Sequence, residues 1–282
     1  MRTLEYWLAR FVIGTVRLFP PLARFYVKLL DIAVPRLRRT AARNLQIAKI
    51  PDAGVIDGMY RSIARLLVAF AKLPSIKRDN VGDWIRYDGL ENFTSALARG
   101  RGVLVATAHF GNWELSAFTH AWMTAPMFVV VRPLDNVRLD AFVEHHRALS
   151  GNHIISKRDA ARDILRALKS GEAVGILIDQ NTAVDEGVFI DFFGTQACAG
   201  KAFVKLAHHS GAAVVPGYAF WSEKDRRYIL RFDPEIPMTD DVEQDTQRIH
   251  THLESVIRAH PDQYLWIHRR WKTRPPGEPP LY

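Results

Sequence analysis

His109 and Glu114 are the two residues in this sequence whose types and spacing most directly suggest chemistry. A neutral imidazole can take a proton near neutral pH. A carboxylate that holds one ring nitrogen as a donor leaves the other nitrogen free to accept. On one continuous helix, a separation of five residues would turn the two side chains well apart around the axis. Gly111 lies between them, and a bend there lets the side chains fold back and meet. The pair therefore reads as a general base, His109, with Glu114 orienting it. The same residues also fit a plainer description, a strand-end histidine followed by a first-turn capping acid, and spacing does not choose between the two.

The elements that must position the pair are a strand, a turn and a helix. Val103-Leu104-Val105-Ala106 is a run of aliphatic residues entered from Arg99-Gly100-Arg101-Gly102, which suits a buried strand that follows a turn. The chain leaves it through Thr107-Ala108-His109-Phe110-Gly111. Asn112 is a natural N-cap, so Trp113, Glu114 and Leu115 form the first helical turn. There Glu114 sits at the positive end of the helix dipole, which favours its ionised form.

The segment His109-Phe110-Gly111-Asn112-Trp113-Glu114 resembles the HX4D/E motif of glycerolipid-type acyltransferases. With FGNWE after the histidine, it is similar to the late acyltransferases of bacterial lipid A biosynthesis, the lauroyl/myristoyl transferase family. Further motifs follow in order. Arg132-Pro133 after a strand, with Arg147 on the next helix, resembles the family's second region. Asp179-Gln180 followed by Phe192-Phe193-Gly194 resembles its third. Arg38 to Leu45 and the closing Trp266-Ile267-His268-Arg269-Arg270-Trp271-Lys272 also resemble family segments, so the likeness covers roughly residues 35–275. Ile190-Asp191 departs from the small or apolar residues usual there.

The resemblance implies a fatty acyl transfer from a thioester to a hydroxyl of a lipid A precursor, with His109 as base. The donor would be acyl carrier protein or coenzyme A, with no cofactor, and attack would be direct, since no residue stands out as a covalent nucleophile. It implies substrate-binding roles for Arg132, Arg147, Asp179, Gln180, Phe193, Gly194 and Lys201. The arginine forks suit a phosphate or carboxylate, and Lys201, opening a helix after Gly200, suits a phosphate. The Phe-rich turn could wall an acyl chain or lie in the core. His268, Arg269, Arg270 and Lys272 are possible head-group contacts. The implied location is the cytoplasmic face of the inner membrane, held peripherally or monotopically.

Composition narrows the alternatives. At 282 residues and 48% hydrophobic, the chain can bury a sizeable core, and its single cysteine, Cys198, rules out a disulfide framework. No Cys/His set has metal-ligand spacing: His145-His146 and His208-His209 are adjacent pairs that diverge on a helix. No GxSxG elbow or P-loop occurs, which disfavours serine hydrolases and nucleotide-driven enzymes. The net charge of +8 is unevenly spread. Residues 1–50 carry ten Lys/Arg against two acids, and the rest of the chain balances 28 against 28.

That N-terminal segment interleaves Trp7, Phe11 and Phe19 with Arg10, Arg17 and Arg24, three arginines seven residues apart and so close to one helical face. The arginines interrupt every apolar run before it reaches the roughly 20 residues of a membrane span. Pro20-Pro21 should end one helix and open another. The pattern reads as an amphipathic helix pair lying on an anionic membrane surface. A helix pair packed on its own domain is the competing reading, and nucleic acid is disfavoured because the aromatic residues would be left in water.

Beyond it, apolar strand runs at 103–106, 127–131, 154–155, 173–178, 213–220 and 228–232 alternate with helices. This pattern argues for an α/β fold with a largely parallel central sheet flanked by helices, like that of glycerolipid acyltransferases. Two segments are expected: 1–50 as basic amphipathic membrane-associating helices, and 51–282 as the acyltransferase domain. His109, Arg132 and Asp179 each follow a strand directly, so they could converge at the carboxyl rim where ligands bind in such sheets. The remaining alternatives are another glycolipid or lysophospholipid acceptor, a thioester hydrolase, and a non-catalytic membrane-binding module.

Overall fold

The computed structural model describes residues 2–156 and 160–282. Arg2–Leu18 (α1) and Leu22–Ala33 (α2) are parted by the Pro20-Pro21 turn, as the prolines require. Pro35 opens Pro35–Ile47 (α3), since a first-turn proline gives up no helical hydrogen bond. Both α1 and α2 pack on Val55–Lys72 (α4). Their buried faces are narrow: Val16, Ala23 and Val27 join a core shared with Phe110, Tyr218 and Trp266. Asp31 is buried and takes a two-pronged contact from Arg38 (2.9 and 3.0 Å), which also reaches Asp57 at 2.6 Å and so ties α2, α3 and α4 together. Asn44 is 1% exposed and donates to the carbonyls of Trp266 (2.5 Å) and His268 (2.7 Å). The Asn-Leu pair of the sequence thus anchors α3 to the C-terminal segment.

The sheet elements follow: Ile85–Asp88 (β1), Leu90–Leu97 (α5), Val103–Thr107 (β2), Trp113–Met123 (α6), Phe128–Val131 (β3), Val137–Ala148 (α7), His153–Ser156 (β4), Ala160–Lys169 (α8) and Ala173–Leu177 (β5). Next come Gly187–Phe192 (β6), Thr195–Gly200 (β7), Ala202–Ser210 (α9), Ala213–Ser222 (β8), Arg227–Phe232 (β9) and Val242–Ala259 (α10). Seven strands form one sheet in the order β1-β9-β8-β2-β5-β3-β4. All neighbours in it are parallel except β8 and β9. Helices cover both faces, so β2 is apolar without alternation. Val103 and Val105 face the core under α5 and α6, while Leu104 and Ala106 face the core under α8, α9 and α10. The expected α/β architecture is the one observed.

One element went unread in the sequence. Residues 187–200 form an antiparallel hairpin, β6 with β7, apart from the main sheet and packed on α10. Phe193 and Gly194 both have positive φ (59° and 75°), the backbone of a tight hairpin turn matched to strand twist.

Candidate active site

Strands β2 and β5 run parallel in register, with Thr107 opposite Leu177. His109 and Asp179 therefore each lie two residues past the end of adjacent strands, and they meet. The His109 Nδ1 to Asp179 Oδ1 distance is 3.0 Å, and the His109 backbone N–H donates to Asp179 Oδ2 at 3.2 Å. The next residues are fixed by backbone bonds: His109 C=O accepts from Leu265 N–H (2.9 Å), and Gly111 N–H donates to the Gln263 carbonyl (2.8 Å). Gly111 has φ +56°, and a Cβ there would stand 1.8 Å from the Ala219 carbonyl oxygen, so no other residue fits. Asn112 then caps α6, accepting from Leu115 N–H at 3.0 Å. The backbone N–H groups of Trp113 and Glu114, in the first turn of α6, lie ahead of any intrahelical acceptor.

The buried Asp179 carboxylate only accepts hydrogen bonds, so Nδ1 of His109 carries the hydrogen and Nε2 is left with a lone pair. Burial opposes a charge on the ring. The Asp179 charge and hydrogen bond, with a smaller contribution from Glu114, outweigh this and hold the His109 pKa above the ordinary histidine value. Burial would likewise raise Asp179, but its bonds to His109 hold it below the usual carboxylate range. Trp113 packs edge-on against the His109 ring at 5.0 Å between centroids. It belongs to the site, yet nothing in the sequence marked it out beyond its place inside the motif.

Glu114 does not orient His109 by hydrogen bonding. Its carboxylate is held by both sides of the Arg147 guanidinium, Nε at 2.8 Å and Nη2 at 2.5 Å. The helices explain the correction: Glu114 opens α6 and Arg147 ends α7, and the two helices pack together. A planar fork matches a carboxylate better than a ring already engaged by Asp179. The carboxylate that meets the His109 ring is that of Asp179. Arg147, expected as a substrate contact, is Glu114's partner.

Trp113, Glu114 and Arg147 stand at one end of a narrow apolar cavity of about 70 Å³ between α6 and the sheet. Its floor is every second residue of the central strands, among them Val105, Thr107 and Leu177. At Gly175 and Gly217 it has no side chain at all. His120 lies in its wall, 2% exposed, with Nδ1 2.7 Å from the Tyr87 hydroxyl. Burial lowers its pKa to about 4, so His120 is a neutral wall residue at physiological pH.

The other expected residues are dispersed. Arg132 ends up exposed beyond β3, and Gln180 is exposed next to Asp179. Phe193 is 2% exposed, its ring under the Arg258 guanidinium and against Trp266, so the Phe-rich turn is core and does not wall this cavity. Gly194 N–H donates to Asp191 Oδ1 within the same turn (2.8 Å). Lys201 Nζ donates to the Asp185 carbonyl (2.7 Å), a contact that holds the loop before β6. Arg270 is 1% exposed, donating to the Cys198 carbonyl (2.7 Å), and is no surface contact; His268 Nε2 accepts from the Asn181 N–H (3.0 Å). Trp7, Phe11 and Phe19 are 56%, 61% and 59% exposed, and Arg10, Arg17 and Arg24 are exposed beside them. Among the described residues, no helix is long and apolar enough to cross a membrane.

Known proteins resemble this chain along most of its length. The family model described as bacterial lipid A biosynthesis acyltransferase matches residues 1–273. The chain is 30% identical to the lipid A biosynthesis palmitoleoyltransferase of Escherichia coli (strain K12), over 99% of this chain and 95% of that protein. It is 28% identical to the lipid A biosynthesis lauroyltransferase of the same organism, over 99% and 95%. A phosphatidylinositol mannoside acyltransferase of Mycolicibacterium smegmatis (strain ATCC 700084 / mc(2)155) is 28% identical over 84% of this chain and 79% of its own length.

Proposed function

Because the chain belongs to the bacterial lipid A biosynthesis acyltransferase family, we propose that it moves a fatty acyl group from an acyl thioester to a hydroxyl of a lipid A precursor. The observation that carries this reading is the His109–Asp179 pair, joined through Trp113, which packs on the His109 ring and lines an apolar cavity. Nε2 of His109 takes the proton of the acceptor hydroxyl as its oxygen attacks the thioester carbon. Asp179 holds the tautomer and stabilises the imidazolium that forms. The negative charge that develops on the thioester oxygen faces the positive end of α6, whose first N–H groups (Trp113 and Glu114) have no helical carbonyl to bind. When the tetrahedral species collapses, the C–S bond breaks and the imidazolium returns its proton to the departing thiolate. The products are an ester and a free thiol.

Glu114 and Arg147 form a fixed, locally neutral pair at the cavity mouth, and the Glu114 charge adds to the stabilisation of protonated His109. The acyl chain enters this cavity with its thioester at the Trp113 end, and at about 70 Å³ the cavity takes the whole of a long chain only as its walls part. The exposed aromatic and basic surface of α1 and α2 holds the enzyme on the cytoplasmic face of the inner membrane, where a long-chain acceptor is available. Acyl carrier protein, an acidic donor, suits the basic N-terminal segment. The likeness to a phosphatidylinositol mannoside acyltransferase supports a second reading, in which the acceptor is another glycolipid.

The test is acyl transfer by the detergent-purified protein to a tetra-acylated lipid A precursor, with acyl carrier protein and coenzyme A thioesters supplied separately. The product should carry one more ester and vanish with His109→Ala. Thioester consumption that depends on a different glycolipid would reassign the acceptor. Equal turnover by His109→Ala would remove the base.

A further inference from the structure

A second pocket, of about 600 Å³, opens where the α1–α2 turn, α4 and the β8–β9 turn meet. It lies on the same edge of the sheet as His109, because β8 runs parallel to β2 and the β8–β9 turn follows its carboxyl end. Five arginines line it, Arg24, Arg61, Arg65, Arg226 and Arg227, with Asp83 as the opposing carboxylate in its wall and Glu223 at its rim. Arg65 is engaged by Glu223 and lies over the Trp221 ring, and Arg227 donates to the Gly82 carbonyl (2.7 Å). The side chains of Arg24 and Arg61 are exposed and have no hydrogen-bond or ion-pair partner among the described residues. Trp221 and Tyr228 also line the pocket. The buried indole N–H of Trp221 lies near the Glu223 carboxylate, and the buried hydroxyl of Tyr228 lies near Asn112, so the arginines are the donors left for a ligand.

Five guanidinium groups clustered around one pocket with only two carboxylates beside them match an anion with several oxygens. What is attached to that anion follows from the rim. Leu18 and Phe19, immediately before the pocket's Pro20-Pro21, are 87% and 59% exposed, and Phe25, next to Arg24, is 56% exposed. A ligand that satisfied the arginines and covered these side chains would carry a phosphate on an apolar body. An acidic protein surface would leave Leu18 and Phe19 in water.

We propose that this pocket binds the phosphate head group of a membrane lipid, and so fixes the enzyme's orientation on the bilayer beside its active rim. The proposal rests on the membrane-surface reading of α1 and α2. The pocket itself is tested without that reading, by titrating inorganic phosphate calorimetrically into the full-length protein in detergent. The paired test is flotation with phosphatidylcholine vesicles doped with phosphatidic acid or, at matched surface charge, with oleate. Each is run on wild type, on Arg24→Gln/Arg61→Gln, and on Arg101→Gln/Lys169→Gln. The last pair removes the same charge from the opposite edge of the sheet.

Wild type should prefer phosphatidic acid vesicles over oleate vesicles by about tenfold or more. The pocket variant should lose that preference and the control variant keep it. Phosphate binding by wild type that the pocket variant loses supports the site even if no vesicle binds, an outcome that removes only the membrane reading. Equal losses in the two variants, equal binding to oleate and phosphatidic acid, or displacement by polyglutamate as effective as by phosphatidic acid would each overturn the proposal.

Discussion

Two carboxylates flank the catalytic rim and have opposite fates. Asp179 lies two residues past β5, is 3% exposed and bonds to the His109 ring. Glu114 begins α6, five residues from the same histidine, and bonds to Arg147. The partner distant in sequence meets the histidine ring, and the near one is taken by an arginine. The difference follows from strand adjacency. Two residues past the ends of neighbouring in-register parallel strands is a short and rigid route between side chains. Five residues around a glycine corner lead instead toward the neighbouring helix.

Removing His109 should have the largest effect. His109→Ala should cost about 10²–10⁴-fold in kcat, the range for a lost general base, read in a single-turnover acyl transfer assay. Next is Asp179→Asn, which keeps the shape but lets Nδ1 become the acceptor. We expect a loss of about 10²–10³-fold, with a matching change in the pH profile. Transfer needs neutral His109, whose pKa stands above the ordinary value, so wild-type rate should rise with pH through that raised value and fall below it. In Asp179→Asn the rising limb should move to lower pH. A limb that stays in place would mean that Asp179 does not control the base.

Breaking the second pair should cost less. Glu114→Gln and Arg147→Ala should each lower kcat/KM by about 10–100-fold, with the double variant well short of the product, because contacting partners are not additive. If Glu114→Gln instead moved the pH limb as far as Asp179→Asn, the two carboxylates would share one role. The smallest effect should come from the cavity floor. At Gly175 an added Cβ would meet only the Met127 methyl at 3.0 Å, a flexible neighbour. Gly175→Ala should leave the melting temperature nearly unchanged and lower kcat/KM for the longest acyl donors by about threefold to tenfold, while shorter ones are spared. At Gly217 the same Cβ would meet Phe232 and Val105, both at 2.9 Å, so Gly217→Ala should destabilise the fold as well.

The sheet was legible because parallel strands covered on both faces must be apolar throughout, and such runs stand out. The helix after His109 was legible from Asn112, and the break between α1 and α2 from Pro20-Pro21. The β6–β7 hairpin was not legible. Its turn is Phe193-Gly194 rather than an Asn-Gly pair, and Gly187 and Gly200 at its ends read as loop. Asp179 was identified as part of the rim, but its partner was not, because that depends on β5 lying beside β2, and strand order is not written in local pattern. Arg147 and Glu114 were both singled out for separate tasks, and only the packing of α6 on α7 joins them.

The bond from Asn44 to the Trp266 carbonyl spans 222 residues of sequence. During synthesis at about 5–20 residues per second, that interval is roughly 10–45 s. Helix α3 therefore leaves the ribosome well before the segment that anchors it exists. Asn44 thus leaves α3 without this anchor until Trp266 and His268 have been made.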